Sequence, residues 1–240
     1  MFRKITSLIL LAVAALSAAA QESDMGLASN ERVIGYTVTN DIDVANGAFG
    51  QAGTYSLGAY MYADNLKAYA GCRIVGLRVA VGMDLGRTRM FLYTADGNQM
   101  SLTHEQRQRL YQGWNRVDFN GDGFLIEEGK DLFFGYDYVE TPEMVTADQG
   151  GIAASGEDTS GATLLLRDDT LYPVSGIGKL CVQLVIDATN MPPYSVTYGF
   201  FDTGFKYKKA DEKIEIMTTI RNVGRDKITT LRMVWQYDDT

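Results

Sequence analysis

Short runs in which apolar and polar residues alternate recur along this chain, with glycine, aspartate and asparagine between them. In the clearest run, residues 73–82, every second side chain is strongly apolar: Val75, Leu77, Val79 and Val81. A period of two residues is typical of β-strands with one buried face. Because the runs do not alternate with helical patterns, the sequence predicts an all-β fold, a jelly-roll-like antiparallel β-sandwich over residues 31–190.

The same pattern predicts the positions of the strands in this sandwich. The predicted strands are 33–39, 53–63, 73–82, 88–94, 114–119, 124–126, 132–139, 163–167 and 180–187. The stretch 103–110 has no apolar stripe, so it is expected to be a polar turn or a frayed strand. The stretch 148–161 is rich in glycine, serine, aspartate and threonine and is expected to be a long loop, a candidate edge of a ligand site.

A break at Pro192-Pro193 indicates a second module. Adjacent prolines cannot continue a strand ladder and favour a stiff, extended connection. Three further runs, 194–201, 213–222 and 229–237, predict strands after this break. Since an immunoglobulin-like sandwich needs about seven strands, residues 193–240 are expected to form an incomplete, apparently truncated immunoglobulin-like β-sandwich, the front part of a longer protein.

Residues 1–20 have the layout of a secretory signal peptide. The basic pair Arg3-Lys4 precedes the apolar run 5–16, and three alanines precede Gln21. The apolar run is shorter than the roughly 20 residues that a membrane span requires. We therefore expect export, no membrane span after cleavage, and a mature protein that is extracellular, at the cell surface or associated with the outer membrane.

The charge of the mature chain narrows the classes of partner. Loss of Arg3 and Lys4 with the signal peptide brings the formal net charge from −8 to −10. An acidic chain without a basic stripe repels a phosphate backbone. Nucleic acid is therefore not expected as a partner, whereas a glycan or protein ligand is compatible with this charge.

The chain contains two cysteines, Cys72 and Cys181. Disulfides persist in exported proteins, and strict alternation places each cysteine on the less apolar face of its predicted strand, where the two could meet across a ladder. Two interpretations stay open: a Cys72–Cys181 disulfide, or two buried thiols that act as small apolar side chains.

One segment matches part of a calcium-binding loop. Asp118, Asn120 and Asp122 supply oxygen ligands at positions one, three and five, and Gly123 stands at position six. The closing carboxylate is missing, because position twelve is Gly129. The alternative is a polar turn between two strands, for which Asn-Gly and Asp-Gly are the expected residues. Calcium is the one cofactor that the sequence suggests.

No set of residues indicates catalysis. His104 is the one histidine of the chain, and no nucleophile or orienting partner stands near it in sequence. Acidic pairs such as Glu127-Glu128 and Asp168-Asp169 are more typical of solvated turns than of glycosidase carboxylates. Several aromatic residues could stack on sugar rings, although most are expected to pack in the sandwich: Tyr60, Tyr62, Tyr69, Trp114, Tyr136, Tyr138 and Tyr172.

Three runs resemble strand markers of a known group of domains. They are 66–79 (LKAYAGCRIVGLRV), 113–117 (GWNRV) and 132–136 (LFFGY). These are similar to cleaved-adhesin-like, lectin-like jelly-roll domains in exported multidomain proteins of Gram-negative anaerobes. The run 220–224 (IRNVG) resembles the immunoglobulin-like adhesion module that often follows them. The resemblance covers about residues 33–240 and brings no catalytic residue to this chain.

Two functions are consistent with these features. The first is an exported, non-enzymatic binding or adhesion module that engages glycans or proteins at the cell surface. The alternative is the accessory N-terminal region of a larger exported enzyme, such as a peptidase or a thioredoxin-like protein, with its catalytic domain beyond Thr240. For residues 21–240 themselves we expect no catalysis.

The signal peptide yields a first testable prediction. Protein recovered from the producing cell should begin at Gln21 or within a few residues of it, since the small alanines mark the cleavage site. N-terminal sequencing measures this directly. Intact Met1 in the exported material would contradict the prediction.

Overall fold

The computed structural model describes residues 26–37, 42–45, 49–96, 99–191, 196–200 and 218–222. Over residues 26–191 the described chain forms two antiparallel β-sheets with two short α-helices, α1 (Ala63–Leu66) and α2 (Pro142–Thr146), and a 3₁₀ helix at Lys67–Tyr69. The prediction of an all-β sandwich is confirmed. Among the described residues no helix is long and apolar enough to cross a membrane.

The first sheet has eight strands within the described part of the chain. They are β1 (Glu31–Gly35), β2 (Asp43–Ala45), β4 (Arg73–Val81), β7 (Gly113–Asp118), β8 (Phe124–Leu125), β10 (Ile152–Ser155), β13 (Lys179–Leu180) and β14 (Val182–Asp187). Strand β4 lies at the centre: it pairs with β14, with β7 and with β8, and it meets β10 at one end.

The second sheet has six strands in the order β12-β11-β3-β9-β5-β6. Their bounds are β3 (Gly53–Met61), β5 (Leu85–Asp96), β6 (Gln99–Leu110), β9 (Asp131–Glu140), β11 (Leu164–Arg167) and β12 (Thr170–Pro173). The longest ladder joins β5 and β6, and β9 is paired on both sides, with β3 and with β5.

Beyond residue 191 the described residues are two strands, β15 (Val196–Phe200) and β16 (Thr218–Asn222), which pair antiparallel. They coincide with parts of the predicted strands 194–201 and 213–222. The rest of the predicted immunoglobulin-like module, and the predicted signal peptide, lie outside the described residues.

The core lies between the inner faces of the two sheets. Leu57, Phe134 and Tyr136 from the second sheet and Leu77 and Leu184 from the first are fully buried there. Each large side chain removed from water in this way contributes roughly 1.5–3 kcal/mol. The alternation of the predicted strands 53–63, 132–139 and 180–187 is confirmed, because every second residue of each belongs to this core or packs on it: Tyr55, Leu57, Ala59 and Met61; Leu132, Phe134, Tyr136 and Tyr138; and Leu180, Val182, Leu184 and Ile186.

A β-bulge changes the predicted face of β4 at its start. Along β14 the partners of Val185 and Ile186 are Gly76 and Ile74, so Val75 is an extra residue in β4. A bulge of this kind shifts the alternation by one position. Ile74 is therefore in the core, whereas the sequence pattern placed Val75 there.

The pairing of Cys72 with Cys181 is not formed, and both residues are buried thiols. Because of the bulge, the side chain of Cys72 lies in the main core, whereas Cys181 packs with Ala80 and Ala153 in a separate cluster. The antiparallel register also separates them: the amide of Ala80 bonds to Cys181, and Ala80 lies eight residues along from Cys72. At about 3.3 Å per residue the separation is roughly 25 Å, far beyond the reach of a disulfide.

Strand β6 replaces the polar turn or frayed strand expected at 103–110. It pairs with β5 along almost its whole length. Its side chains are polar because one face meets solvent and the other faces the edge of the first sheet. There the Gln108 amide donates to the carbonyl of Arg116 at 3.0 Å, and the Asn120 amide donates to the Gln106 amide oxygen at 3.0 Å.

Strand β10 lies inside the segment expected to be a long loop. Its four residues, Ile152 to Ser155, are buried. Small side chains explain why the strand was missed: Ala153 and Ala154 carry little apolar signal. They fit where the strand packs closely beside β4 and β13.

A pair of facing glycines controls the centre of the second sheet. Gly58 of β3 and Gly135 of β9 are direct partners. A Cβ on Gly135 would lie 1.9 Å from the Leu57 carbonyl oxygen, and one on Gly58 would lie 2.7 Å from the Phe133 ring. The missing side chains let two rings, Phe91 and Phe133, lie buried on the outer face of the sheet with centroids 5.4 Å apart.

We expect Gly135→Ala to destabilise the sandwich by about 3 kcal/mol or more, because the added methyl group would force β3 away from β9. Denaturant unfolding measures the change. Gly86→Ala is the matched control in the same sheet, since no atom lies within 4 Å of its added Cβ, and it should shift stability by less than about 0.5 kcal/mol. Equal stability of the two variants would contradict this role of the glycine pair.

Candidate functional site

A groove of about 830 Å³ opens on the outer face of the second sheet. It is formed by the ends of β3, β5 and β6, the β11–β12 hairpin and the loops on either side of that hairpin. Its volume lies within the range of sites that hold small molecules. The lining residues are Tyr60, Tyr62, Ala95, Met100, Asp158, Thr159, Ser160, Gly161, Thr163, Leu164, Asp169, Thr170, Leu171, Pro173, Val174 and Ser175.

Two tyrosines form one side of the groove. The rings of Tyr60 and Tyr62 meet edge to face with centroids 5.1 Å apart. The Tyr60 hydroxyl donates to Asp131 Oδ2 at 2.6 Å, and Asp131 Oδ1 accepts the Ala63 amide at 2.6 Å. Burial and this carboxylate raise the pKa of Tyr60. Tyr60 is thereby fixed, while Tyr62 is 47% exposed and presents its ring to solvent.

An apolar cluster supports the floor of the groove. Phe91 and Phe133, which lie over the facing glycines, pack with Leu164, and partly buried Met100 and Leu171 extend the cluster into the groove lining. The β11–β12 hairpin brings Leu164 and Leu171 to this face because β11 pairs with β3. The floor is therefore preformed by the packing of the sheet.

Side-chain hydrogen bonds hold a second wall of the groove. Asp158 accepts the backbone N–H of Gly176 at 2.6 Å and that of Gly178 at 2.8 Å. These two donors lower the pKa of Asp158, so its carboxylate stays ionised to a lower pH than that of an ordinary aspartate. Thr163 Oγ1 donates to the carbonyl of Gly178 at 2.7 Å and accepts the Leu180 amide at 2.8 Å. The loops 156–161 and 174–178 are thus joined.

The polar lining consists of hydroxyls and carboxylates. Thr159, Ser160, Thr170 and Ser175 supply short hydroxyl side chains, and Asp158 and Asp169 supply carboxylates. Among the described lining residues there is no lysine, arginine, histidine or cysteine. Aromatic rings beside hydroxyls and carboxylates suit a ligand that has apolar faces and many hydroxyl groups.

The predicted calcium loop lies away from the groove, in the turn between β7 and β8. Asp118 Oδ1 accepts from Arg116 Nε at 2.7 Å, and the Asn120 amide bonds to Gln106. Among the described residues no group of three or more His, Cys, Asp and Glu side chains could hold a metal ion. Calcium at Asp118, Asn120 and Asp122 stays a prediction, and binding would require Asp118 to exchange its contact with Arg116 for the ion.

His104 also lies outside the groove. Its ring packs against Phe119 with centroids 5.1 Å apart, and its buried Nδ1 has no hydrogen-bond partner among the described residues. Burial lowers its pKa, so the ring is neutral at pH 7. Its ring neighbours in the described part of the chain are Phe119 and Phe124, and neither is a nucleophile.

The structure brings together only some of the residues that the sequence suggested. Tyr60, Tyr62 and Asp169 reach the groove, and so does the end of the segment 148–161. Tyr69, Tyr136 and Tyr138 are instead buried in the core, and Trp114 stacks under Arg78 on the first sheet. Sequence analysis missed other lining residues in β12 and the loop after it, whose position depends on the pairing of β11 with β3: Thr170, Leu171, Pro173, Val174 and Ser175. Tyr172, which the sequence suggested, is 49% exposed and does not line the groove.

No protein-family model matches the sequence, and no curated protein matches it. One similar solved structure is the clostridial cysteine protease Cwp84 after propeptide cleavage, with a TM-score of 0.44 and 8% identity over 67% of this chain and 41% of that chain. Another contains the cysteine protease and lectin-like domains of Cwp84, a surface layer associated protein of Clostridium difficile, with a TM-score of 0.42 and 7% identity over 67% of this chain and 36% of that chain. This chain thus spans less than half the length of either.

The wall of the groove gives a testable prediction. Asp158→Ala should accelerate amide hydrogen exchange at Gly176 and Gly178, because both N–H groups lose their acceptor. In the unmodified protein the same protection is present above the ordinary pKa of 3.8 and should fall only at lower pH, since the pKa of the folded Asp158 is depressed. Glu157→Ala is the neighbouring control and should leave both amides protected. Unchanged exchange in Asp158→Ala would contradict this account.

Proposed function

We propose that this chain is an exported, non-enzymatic binding module that holds a glycan in the groove on the outer face of its second sheet. The groove carries the proposal: it combines a fixed and an exposed tyrosine with four exposed short hydroxyl side chains and two carboxylates. Sugar rings have apolar faces that stack on aromatic rings and hydroxyls that bond to such groups. The signal-peptide layout of residues 1–20 supports a function outside the cytoplasm.

The preformed floor supports binding rather than a structural role. Phe91 and Phe133 are already buried by their own neighbours, so the groove needs no partner chain to cover its apolar floor. Its volume of about 830 Å³ accommodates a short oligosaccharide. A rigid floor and joined loops reduce the entropy that a ligand must overcome on binding.

The environment of the nucleophilic side chains favours binding over catalysis. Burial raises the pKa of both cysteines, that of Cys181 to about 12, so neither thiol ionises near neutral pH. His104 lies on the far side of β6 from the groove lining. The groove carboxylates, Asp158 and Asp169, have no described histidine, lysine or cysteine beside them in the lining.

A glycan panel and one substitution test this function. The full chain should bind a subset of oligosaccharides, and Tyr62→Ala should weaken that binding at least tenfold by removing the exposed stacking ring, a loss of about 1.4 kcal/mol. Isothermal titration calorimetry with each sugar that binds on the panel measures the affinity of the unmodified chain and of the variant.

Tyr111→Ala is the matched control, because Tyr111 is 58% exposed and lies outside the groove lining. It should bind like the unmodified chain. Binding that is lost equally in both variants, or that survives in Tyr62→Ala, would exclude this groove as the binding site.

A further inference from the structure

The groove carries negative charge, and none of the described residues in its lining is positively charged. Asp158 and Asp169 contribute carboxylates to it, and the lining contains no lysine, arginine or histidine among the described residues. Asp158 is ionised near neutral pH as an ordinary aspartate is, and the N–H groups of Gly176 and Gly178, which lower its pKa, extend that state to lower pH. A ligand that enters this groove therefore meets hydrogen-bond acceptors and a negative field.

The geometry points to selection of uncharged glycans, with glycans that carry carboxylate, sulfate or phosphate groups rejected by Asp158 and Asp169. This inference rests on the proposed function and adds the ligand's charge class to it. Sugar hydroxyls donate to carboxylates, whereas an anionic substituent in the same position meets like charge. Specificity of this kind comes from a repulsive element as well as from attractive contacts.

A substitution at Asp169 can distinguish repulsion inside the groove from repulsion by the net charge of the whole chain. It lies in the β11–β12 turn and lines the groove, while its neighbour Asp168 does not and has a 91% exposed side chain beside Arg167. Both residues have positive φ, +57° for Asp169 and +48° for Asp168. Asparagine tolerates this conformation. Asp169→Asn and Asp168→Asn therefore remove the same charge one residue apart with little strain.

The experiment compares matched sugar pairs on the full chain. The probes are neutral oligosaccharides from the panel and the same oligosaccharides carrying one sialic acid or one sulfate. The neutral member of each bound pair should bind at least tenfold more tightly at about 0.01 M salt. The ratio should shrink at about 1 M salt, where the Debye length falls from roughly 30 Å to roughly 3 Å.

The two variants identify the source of the discrimination. Asp169→Asn should reduce the neutral-to-acidic ratio at least threefold, and Asp168→Asn should leave it within a factor of about 1.5. Acidic sugars that bind as tightly as neutral ones would overturn this inference and leave the proposed function standing. An equal effect of the two variants would also overturn it, because the net charge of the chain, and not Asp169 in the groove, would then account for the preference for neutral sugars. Failure of every sugar to bind would overturn the proposed function and this inference together.

Discussion

The contact between Gly58 and Gly135 is the constraint on which the second sheet depends. The two strands approach so closely that a methyl group on Gly135 would overlap the Leu57 carbonyl. The space left above the glycines is filled by Phe91 and Phe133, which give the outer face of the sheet an apolar layer of its own. That layer is what the β11–β12 hairpin packs on through Leu164. The support beneath the floor of the groove therefore follows from a backbone contact in the middle of the sheet, whereas its walls come from the hairpin and the loops beside it.

Much of the fold could be predicted from the sequence, because burial of one face imposes alternation on each strand. For this reason β9 was predicted to within one residue at each end, and the predicted strand 180–187 covers β14 and the end of β13. The prediction failed where burial does not produce that pattern. Strand β6 covers the edge of the sandwich with polar side chains, and β10 is buried on both faces with small ones. In β4 the extra residue Val75 shifts the alternation by one position at the start of the strand, so Ile74 and not Val75 faces the core.

The candidate site was less predictable, because it is assembled from segments far apart in sequence. Tyr60 and Tyr62 were among the aromatic residues singled out, and alternation places them on the face of the predicted strand 53–63 that lies opposite Leu57, away from the core. Alternation could not predict that this outer face carries a groove, because the groove forms only when β11 has paired with β3. The acceptor role of Asp158 depends likewise on a loop about twenty residues further along the chain.

The location of the two thiols has a consequence for how this protein can be made. A disulfide forms through a thiolate, and burial disfavours that form of both Cys72 and Cys181. No covalent cross-link contributes to the stability of the sandwich, so its folding does not require an oxidase, an isomerase or a particular glutathione potential. The described sandwich therefore does not depend on the redox state of Cys72 and Cys181, and its packing is the same for reduced thiols in a reducing or an oxidising compartment.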